Sequence, residues 1–308
     1  MKKVKLFFVI SFLICLFLSS CKNPNESNNN QNKNKKLVLV SFTILEDIVK
    51  NIVGDEFIVK SITKPGMEVH GYQTTPSDLI KGSNAYIFID NGFGFELWAE
   101  KFVSNLDVKR VTIADNLKPI FISEDAYKGK PNPHAWISPK RGKKYVDIVT
   151  RELSNLHPEQ SKVFKQNAKV YKNQLSKIDE DFSLFLNTLE KKKKFLVSCE
   201  GAFSYLAYDY GLKEAYLWPV NAESQITPKR MSRVINLVKE NSIPAVFCES
   251  TVSSESQLSV VRETGAVFGG NLFVDSLSDK DGPASSYLDL LNHNLNLLKK
   301  GLNSIQEN

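Results

Sequence analysis

Three apolar runs in the second half of the chain each end in an acid: Phe195-Leu-Val-Ser-Cys199-Glu200, Ala245-Val-Phe-Cys248-Glu249 and Asn271-Leu-Phe-Val-Asp275. Two of the four histidines, His70 and His134, occupy proline- or glycine-bearing loops of the first half. Singly these are ordinary features. A strand-end acid is commonly a helix cap or an ion-pair partner, and a loop histidine commonly lies in a turn or at the surface. Together, His70, His134, Glu200 and Asp275 make a set of two imidazoles and two carboxylates, and that set is suited to holding a metal ion. Imidazole is a borderline donor and carboxylate a hard one. With one carboxylate bidentate, five or six donor atoms would surround the ion, which suits Mn²⁺ or Fe²⁺ better than a closed tetrahedral Zn²⁺ site. Donor softness leaves Zn²⁺ open, because the affinity order places it above Mn²⁺ at most N/O sites. Of the other histidines, His157 precedes Pro158 at a helix start and reads as structural, and His293 sits between asparagines and reads as exposed.

Such a set needs elements that carry its members to one place. From Leu37 the chain alternates apolar runs of strand length with amphipathic stretches of helical spacing. Strands are expected near 37–42, 57–63, 85–90 and 110–114, then near 195–199, 215–219, 245–248 and 271–274. Helices are expected to follow Phe42, to start at Thr75-Pro-Ser-Asp78 with proline in the first turn, and to span 139–156, 228–241, 254–265 and 287–302. Strand–helix alternation implies parallel sheets with crossover helices. Residues 158–189 contain no internal glycine or proline and read as one helix, about 45 Å long at 1.5 Å per residue. Its apolar positions, taken to include Val163 and Val170, do not hold a strict heptad. The fold class expected is α/β: two lobes, each a four-stranded parallel sheet with flanking helices, bridged by one long helix. The divisions are 1–20 as a leader, 21–36 as a tether, 37–157 as the first lobe, 158–190 as the linking helix and 191–308 as the second lobe. Ligands of open α/β sheets sit beyond the strand C-termini, where the acids are expected.

The net charge of +6 does not signal a nucleic-acid partner. Lys2, Lys3 and Lys5 account for +3, and the tether, with Lys22, Lys33, Lys35 and Lys36 against Glu26, accounts for the rest, leaving Leu37–Asn308 formally neutral. Residues 1–5 are basic and residues 6–18 are apolar, a run too short to span a bilayer. Leu18-Ser-Ser-Cys21 closes this leader and resembles a bacterial lipobox, which implies cleavage before Cys21 and lipidation of that cysteine. Lipid chains there would hold the protein on a membrane. The Asn-rich tether lacks apolar residues and is expected to be flexible. Of four cysteines, Cys15 leaves with the leader and Cys21 is modified, so Cys199 and Cys248 remain as a pair in an oxidising compartment. A disulfide between them and two reduced core thiols both fit the residues. No His-Glu-x-x-His motif marks a zinc hydrolase and no P-loop marks an ATPase; the set reads as a carrier of metal rather than an enzyme.

Five segments then carry a family resemblance: Glu68-Val-His70-Gly-Tyr72, Pro131-Asn-Pro-His134-Ala-Trp136, Ser198-Cys-Glu200-Gly-Ala-Phe-Ser-Tyr205, Phe247-Cys-Glu-Ser-Thr-Val252 and Phe273-Val-Asp275-Ser-Leu277. In this order and spacing, the chain from Leu37 onward resembles the metal-binding receptor lipoproteins of bacterial ABC importers, the cluster that takes up Mn²⁺, Zn²⁺ or Fe²⁺. Within it the chain is most similar to the manganese branch. The resemblance implies His70, His134, Glu200 and Asp275 as ligands and two α/β lobes joined by a rigid helix. It also implies delivery to a permease with a separate ATPase subunit, from a lipid-anchored position facing the periplasm or the extracellular side. The protein is expected to act as a monomer. Zinc receptors of this type carry a third histidine where Glu200 stands and often a His-rich loop, whereas residues 115–133 contain no histidine. That favours Mn²⁺, with a zinc- or iron-specific receptor or a surface adhesin holding a structural metal as the alternatives. Manganese receptors also place cysteines at the same two strand ends, which favours the Cys199–Cys248 disulfide. Glu249 is not a family ligand and is expected to support the site or cap a helix.

Overall fold

The computed structural model describes residues 35–124, 127–190, 193–220 and 226–304. The expected leader over 1–20, the lipidation of Cys21 and the tether up to residue 34 lie outside the described residues. Leu37–Asn308 forms one compact unit. No helix among the described residues is long and apolar enough to cross a membrane.

The first lobe is built from β1 (Leu37–Val40), α1 (Thr43–Val53), β2 (Ile58–Ser61), α2 (Pro76–Ser83), β3 (Ala85–Asp90), α3 (Leu97–Val103), β4 (Lys109–Thr112) and α4 (Pro139–Leu156). The four strands form a parallel sheet in the order β2-β1-β3-β4. Period-two alternation sends Val38, Val40, Ile87 and Ile89 to the large core, and Leu39 and Phe88 to a smaller one with Ala99 and Phe102. Both faces are covered, so the strands read as continuous apolar runs. Thr75 caps α2 in a reciprocal box with Asp78, as the Thr-Pro-Ser-Asp motif implies. Helix α3 was not among the expected elements; it follows the Gly-rich turn after β3.

The long helix α5 (Ser161–Thr188) is preceded by a short 3₁₀ turn over Pro158–Gln160. Its buried residues are Phe164, Ala168, Tyr171, Leu175, Ile178, Phe182, Phe185 and Leu186. From Phe164 to Phe185 the buried spacing alternates four and three, which is a heptad seam. Val163 and Val170, at 44% and 53% exposure, lie off that seam. Including them hid the regularity in the sequence. The seam packs against α4, α1 and the last helix, so one core runs from the first lobe through α5 into the second.

The second lobe contains β5 (Phe195–Glu200), α6 (Ser204–Tyr210), β6 (Lys213–Trp218), α7 (Pro228–Asn241), β7 (Ala245–Glu249), α8 (Glu255–Thr264), β8 (Val267–Leu272) and α9 (Tyr287–Leu302). Helix α6 lies between β5 and β6, where strand–helix alternation called for a helix without giving its span. Two details correct the sequence expectation. The four strands are parallel but hydrogen-bond as two pairs, β5-β6 and β7-β8, rather than as one four-stranded ladder. Where β5 and β7 adjoin, β5 groups use side-chain partners: Val197 O accepts from Gln257 and Glu200 N donates to Glu249. The last strand also ends at Leu272, not at Val274. Beyond it, both backbone groups of Phe273 are held by the Asn294 side chain of α9, at 2.9 and 2.7 Å. A side chain thus replaces the neighbouring strand that the apolar run Leu-Phe-Val suggested, and Asp275 lies in irregular chain.

Candidate metal centre

Strand alternation decides which way the second-lobe acids point. In β5 and β7, Val197, Cys199, Val246 and Cys248 face the core under α7 and α8, while Leu196, Ala245 and Phe247 face the main core. Continuing that alternation puts Cys199 and Cys248 on the outer side and Glu200 and Glu249 on the inner side. The two cysteines are joined as a disulfide with Cα atoms 4.8 Å apart. One residue on, the buried Glu249 carboxylate accepts the Glu200 backbone N–H at 3.1 Å. Burial pushes the Glu249 carboxyl well above its usual range. It supports Glu200 as expected; helix capping by its side chain is not seen.

The first-lobe histidines arrive on loops. Glu68 holds the His70 loop by accepting from His70 N at 2.6 Å and Gly71 N at 2.8 Å. Trp98 Nε1 donates to Val69 O at 3.0 Å, and the His70 ring packs edge-on to Phe95, 4.6 Å between centroids. His134 begins a 3₁₀ turn over Ala135–Ile137. Its backbone N and ring Nδ1 lie 3.1 and 2.9 Å from Asn132 Oδ1. An amide oxygen only accepts, so Nδ1 carries a proton, and in the uncharged ring the lone pair is at Nε2.

These elements bring the four expected residues together, each buried. His70 Nε2 and His134 Nε2 are 3.3 Å apart. Asp275 Oδ1 lies 3.4 Å from His134 Nε2, and Glu200 Oε1 lies 3.8 Å from each ring nitrogen. His70, His134 and Asp275 form the tighter subset, with Glu200 slightly further out. Asp275 Oδ1 is buried without a hydrogen-bond donor. Burial holds the His70 imidazole down to about 4, with Asp275 opposing and His134 assisting, so the ring is neutral at ordinary pH. Two imidazole nitrogens facing two carboxylates are a cluster of potential electron-pair donors of the kind a cation can join. The Cys199, Cys248 and Glu249 group also clusters, but its sulfurs are consumed by the disulfide. A cavity of about 60 Å³ lies beside His70, lined by Phe93, Leu97, Ile122, Pro131 and Val220.

His157 and His293 are elsewhere. His157 ends α4, buried between the Phe57 and Tyr86 rings, and the half-buried His293 ring meets Phe273 rather than standing free in solvent. Three contributors were not singled out from sequence: Glu68, Asn132 and Ser276. The available signal was spacing, since Glu68 and Asn132 each stand two residues before a histidine, where a side-chain oxygen can reach the i+2 backbone N–H. Ser276 follows Asp275 and accepts from Gly66 N at 2.8 Å, tying the His70 loop to the second lobe.

Residues 38–301 match the family model described as zinc-uptake complex component A, periplasmic. Over 302 residues the chain is 39% identical to the iron-binding protein YfeA of Yersinia pestis, covering 98% of this chain and 96% of that one. It is 31% identical over 303 residues to the manganese-binding lipoprotein MntA of Halalkalibacterium halodurans, covering 98% and 99%. The Mn-bound periplasmic metal-binding protein of Candidatus Liberibacter asiaticus superposes with a TM-score of 0.82 at 37% identity, covering 87% of this chain and all of that one.

Proposed function

We propose, from the premise that this chain belongs to the family of periplasmic zinc-uptake complex components A, that it captures a divalent metal ion and delivers it to an ABC importer. The family is one of metal-binding receptor components rather than enzymes. The observation that carries the reading is the convergence of two buried imidazole nitrogens and two buried carboxylates within 3.3–3.8 Å. Donors about 2.1 Å from a common ion stand about 3.0 Å apart at right angles and about 3.4 Å apart at tetrahedral angles. The separations of 3.3 and 3.4 Å fit as they are, and Glu200 stands further out, 3.8 Å from each ring. In this reading His70, His134, Glu200 and Asp275 are the ligands. The functional divisions are the lobes 37–157 and 191–308, joined by 158–190.

Mn²⁺ is the ion we favour. Position 200 supplies a carboxylate rather than a third imidazole, which moves the donor set toward hard cations and higher coordination numbers. The relative named for iron supports Fe²⁺ as a second reading, and the family model named for zinc supports Zn²⁺ as a third. We further propose that the chain acts as a monomer with a permease and its ATPase subunit. A lipid on Cys21 would hold it at the membrane, facing the periplasm or the extracellular side. Elemental analysis of protein purified from cells given equimolar Mn, Fe and Zn tests the metal. Predominant Mn is expected, predominant Fe or Zn selects the other readings, and protein without stoichiometric metal sinks all three. Cys21→Ser should abolish lipid labelling, and retained labelling would remove the anchor.

A further inference from the structure

The geometry points to Asn132 as the positioning residue that ties His134 of the first lobe to the end of strand β5 in the second. This inference rests on the metal-receptor reading, although its central observable does not need a metal. Asn132 is buried, and its two amide atoms face opposite partners. Oδ1 accepts from the backbone and Nδ1 of His134. Nδ2 donates to Gly201 O at 2.6 Å and to Ser204 Oγ at 3.1 Å, both in the second lobe. A backbone carbonyl only accepts, so the amide cannot be flipped without losing contacts on both sides. Its backbone is pinned as well: Asn132 N donates to Ile120 O at 2.8 Å and Asn132 O accepts from Tyr205 OH at 2.8 Å.

The donors along this path all run one way. His134 Nδ1–H donates to Asn132, Asn132 Nδ2–H donates to Ser204, and the Ser204 hydroxyl donates to Glu214 Oε2 at 2.6 Å. A directed chain of this kind polarises cooperatively toward the acid at its end. Its first consequence is to keep the His134 proton on Nδ1 and the lone pair on Nε2, facing His70, Glu200 and Asp275. Its second is mechanical. Gly201 is the residue after Glu200, so the amide that orients the imidazole also sets where the strand end stands. An aspartate at this position would keep the acceptor for His134 but present an oxygen to Gly201 O, and a leucine would keep neither.

The test uses the full chain, freed of metal with a chelator and labelled with ¹⁵N at histidine; only four histidines have to be assigned. At pH 7.5, His134 should be a single Nδ1–H tautomer in the parent and in Asn132→Asp. It should become a tautomer mixture in Asn132→Leu. Stopped-flow release of Mn²⁺ to a chelator should be about 10- to 100-fold faster in Asn132→Asp than in the parent, the size usual for outer groups supporting a metal ligand. Ser204→Ala should speed release only a few-fold while keeping the tautomer. Thermal melts identify any variant that has not folded; if Asn132→Leu is lost, the parent's own tautomer decides the orientation of His134 and the release rate of Asn132→Asp, equal in size, decides the tie to β5. An Nε2–H tautomer in the parent, or an unaltered tautomer in folded Asn132→Leu, overturns the assignment. Release unchanged in Asn132→Asp overturns the tie to β5. Calorimetry showing no Mn²⁺, Fe²⁺ or Zn²⁺ binding by the parent would instead remove the receptor reading and leave the tautomer result to decide the role of Asn132.

Discussion

His70 and His134 hang from loops of the first lobe, whereas Glu200 is the last residue of a strand in the second. The first lobe has a continuous four-stranded sheet and holds its donors at a distance, through Glu68, Trp98 and Asn132. The second lobe has two separate strand pairs and places a disulfide and a buried carboxylate directly beside Glu200. Continuity of the sheet and rigidity of the site are thus separate properties here. The lobe with the weaker ladder has the more firmly set strand-end donor. The lobe with the better sheet contributes donors whose position depends on a few loop hydrogen bonds.

The strongest way to break this comparison is to delete a donor from each side. His70→Ala and Glu200→Ala should each lower Mn²⁺ affinity by more than about 100-fold, above the range for supporting residues, as measured by calorimetry. A variant that binds within threefold of the parent removes its residue from the ligand set.

Next in size is the cross-link. Replacing both Cys199 and Cys248 by Ala should cost about 2–4 kcal/mol of stability in chemical denaturation, because the bond closes a loop with a sequence separation of 49 residues. Mn²⁺ affinity should fall by less than tenfold, since no donor is lost and Glu249 still holds Glu200 N. A fall as large as that of Glu200→Ala would mean that the disulfide, and not the Glu249 contact, sets the second-lobe donor.

Smaller again is the connection between the lobes beside His70. Gly66 N donates to Ser276 Oγ at 2.8 Å and to Leu277 O at 3.1 Å. Ser276→Ala leaves the second bond, so it should cost only about 1 kcal/mol. It should quicken Mn²⁺ release a few-fold in stopped-flow chelation. An unchanged release rate would show that the second lobe does not restrain the loop.

The smallest effect separates the lobes by pH. In the first, burial pushes the Asp78 carboxyl up, but hydrogen bonds from Thr75, Tyr72 and Lys81 outweigh it and hold the group at about 2, below the unfolded value of 3.8. Its contribution is present above pH 3.8 and is lost as pH falls toward 2. In the second, burial outweighs the bonds from Ser204 and Phe203 and lifts Glu214 from 4.5 to about 7. The folded state therefore holds that proton more tightly, and stability declines as pH rises from 4.5 through 7. Against the parent, Glu214→Gln should gain about 1 kcal/mol between pH 5 and 8 in melts, discounted for partial exposure. Asp78→Asn should show a constant deficit over that window. A pH-independent difference for Glu214→Gln would mean that Glu214 is not strained by burial.

Element types were legible where the local pattern was strong. The apolar runs at β1, β3, β5 and β7 and the spacings of α1, α4, α7 and α9 were all visible, as was the capping motif of α2. Short helix α3 was missed and α6 was expected only from alternation, without a span; at seven residues each, two turns give too few positions to establish a period. The strand expected to run to Val274 stops at Leu272 for a tertiary reason: Asn294 of α9 takes the backbone of Phe273, and no local rule anticipates a partner 21 residues away.

The sequence by itself determined the residue types of the candidate site, the loops and strand ends that bear them, and the parity that sends Cys199 and Glu200 to opposite faces. Those follow from local chemistry and from a two-residue strand period, which one stretch of chain contains in full. Tertiary structure alone decided the rest. The folding of two first-lobe loops brought His70 and His134 within 3.3 Å although 64 positions separate them. The Asn132 amide met Gly201 of the second lobe through Nδ2 and His134 Nδ1 through Oδ1. Burial then moved the His70 imidazole down to about 4, because the cost of a charge depends on everything that displaces water from around it.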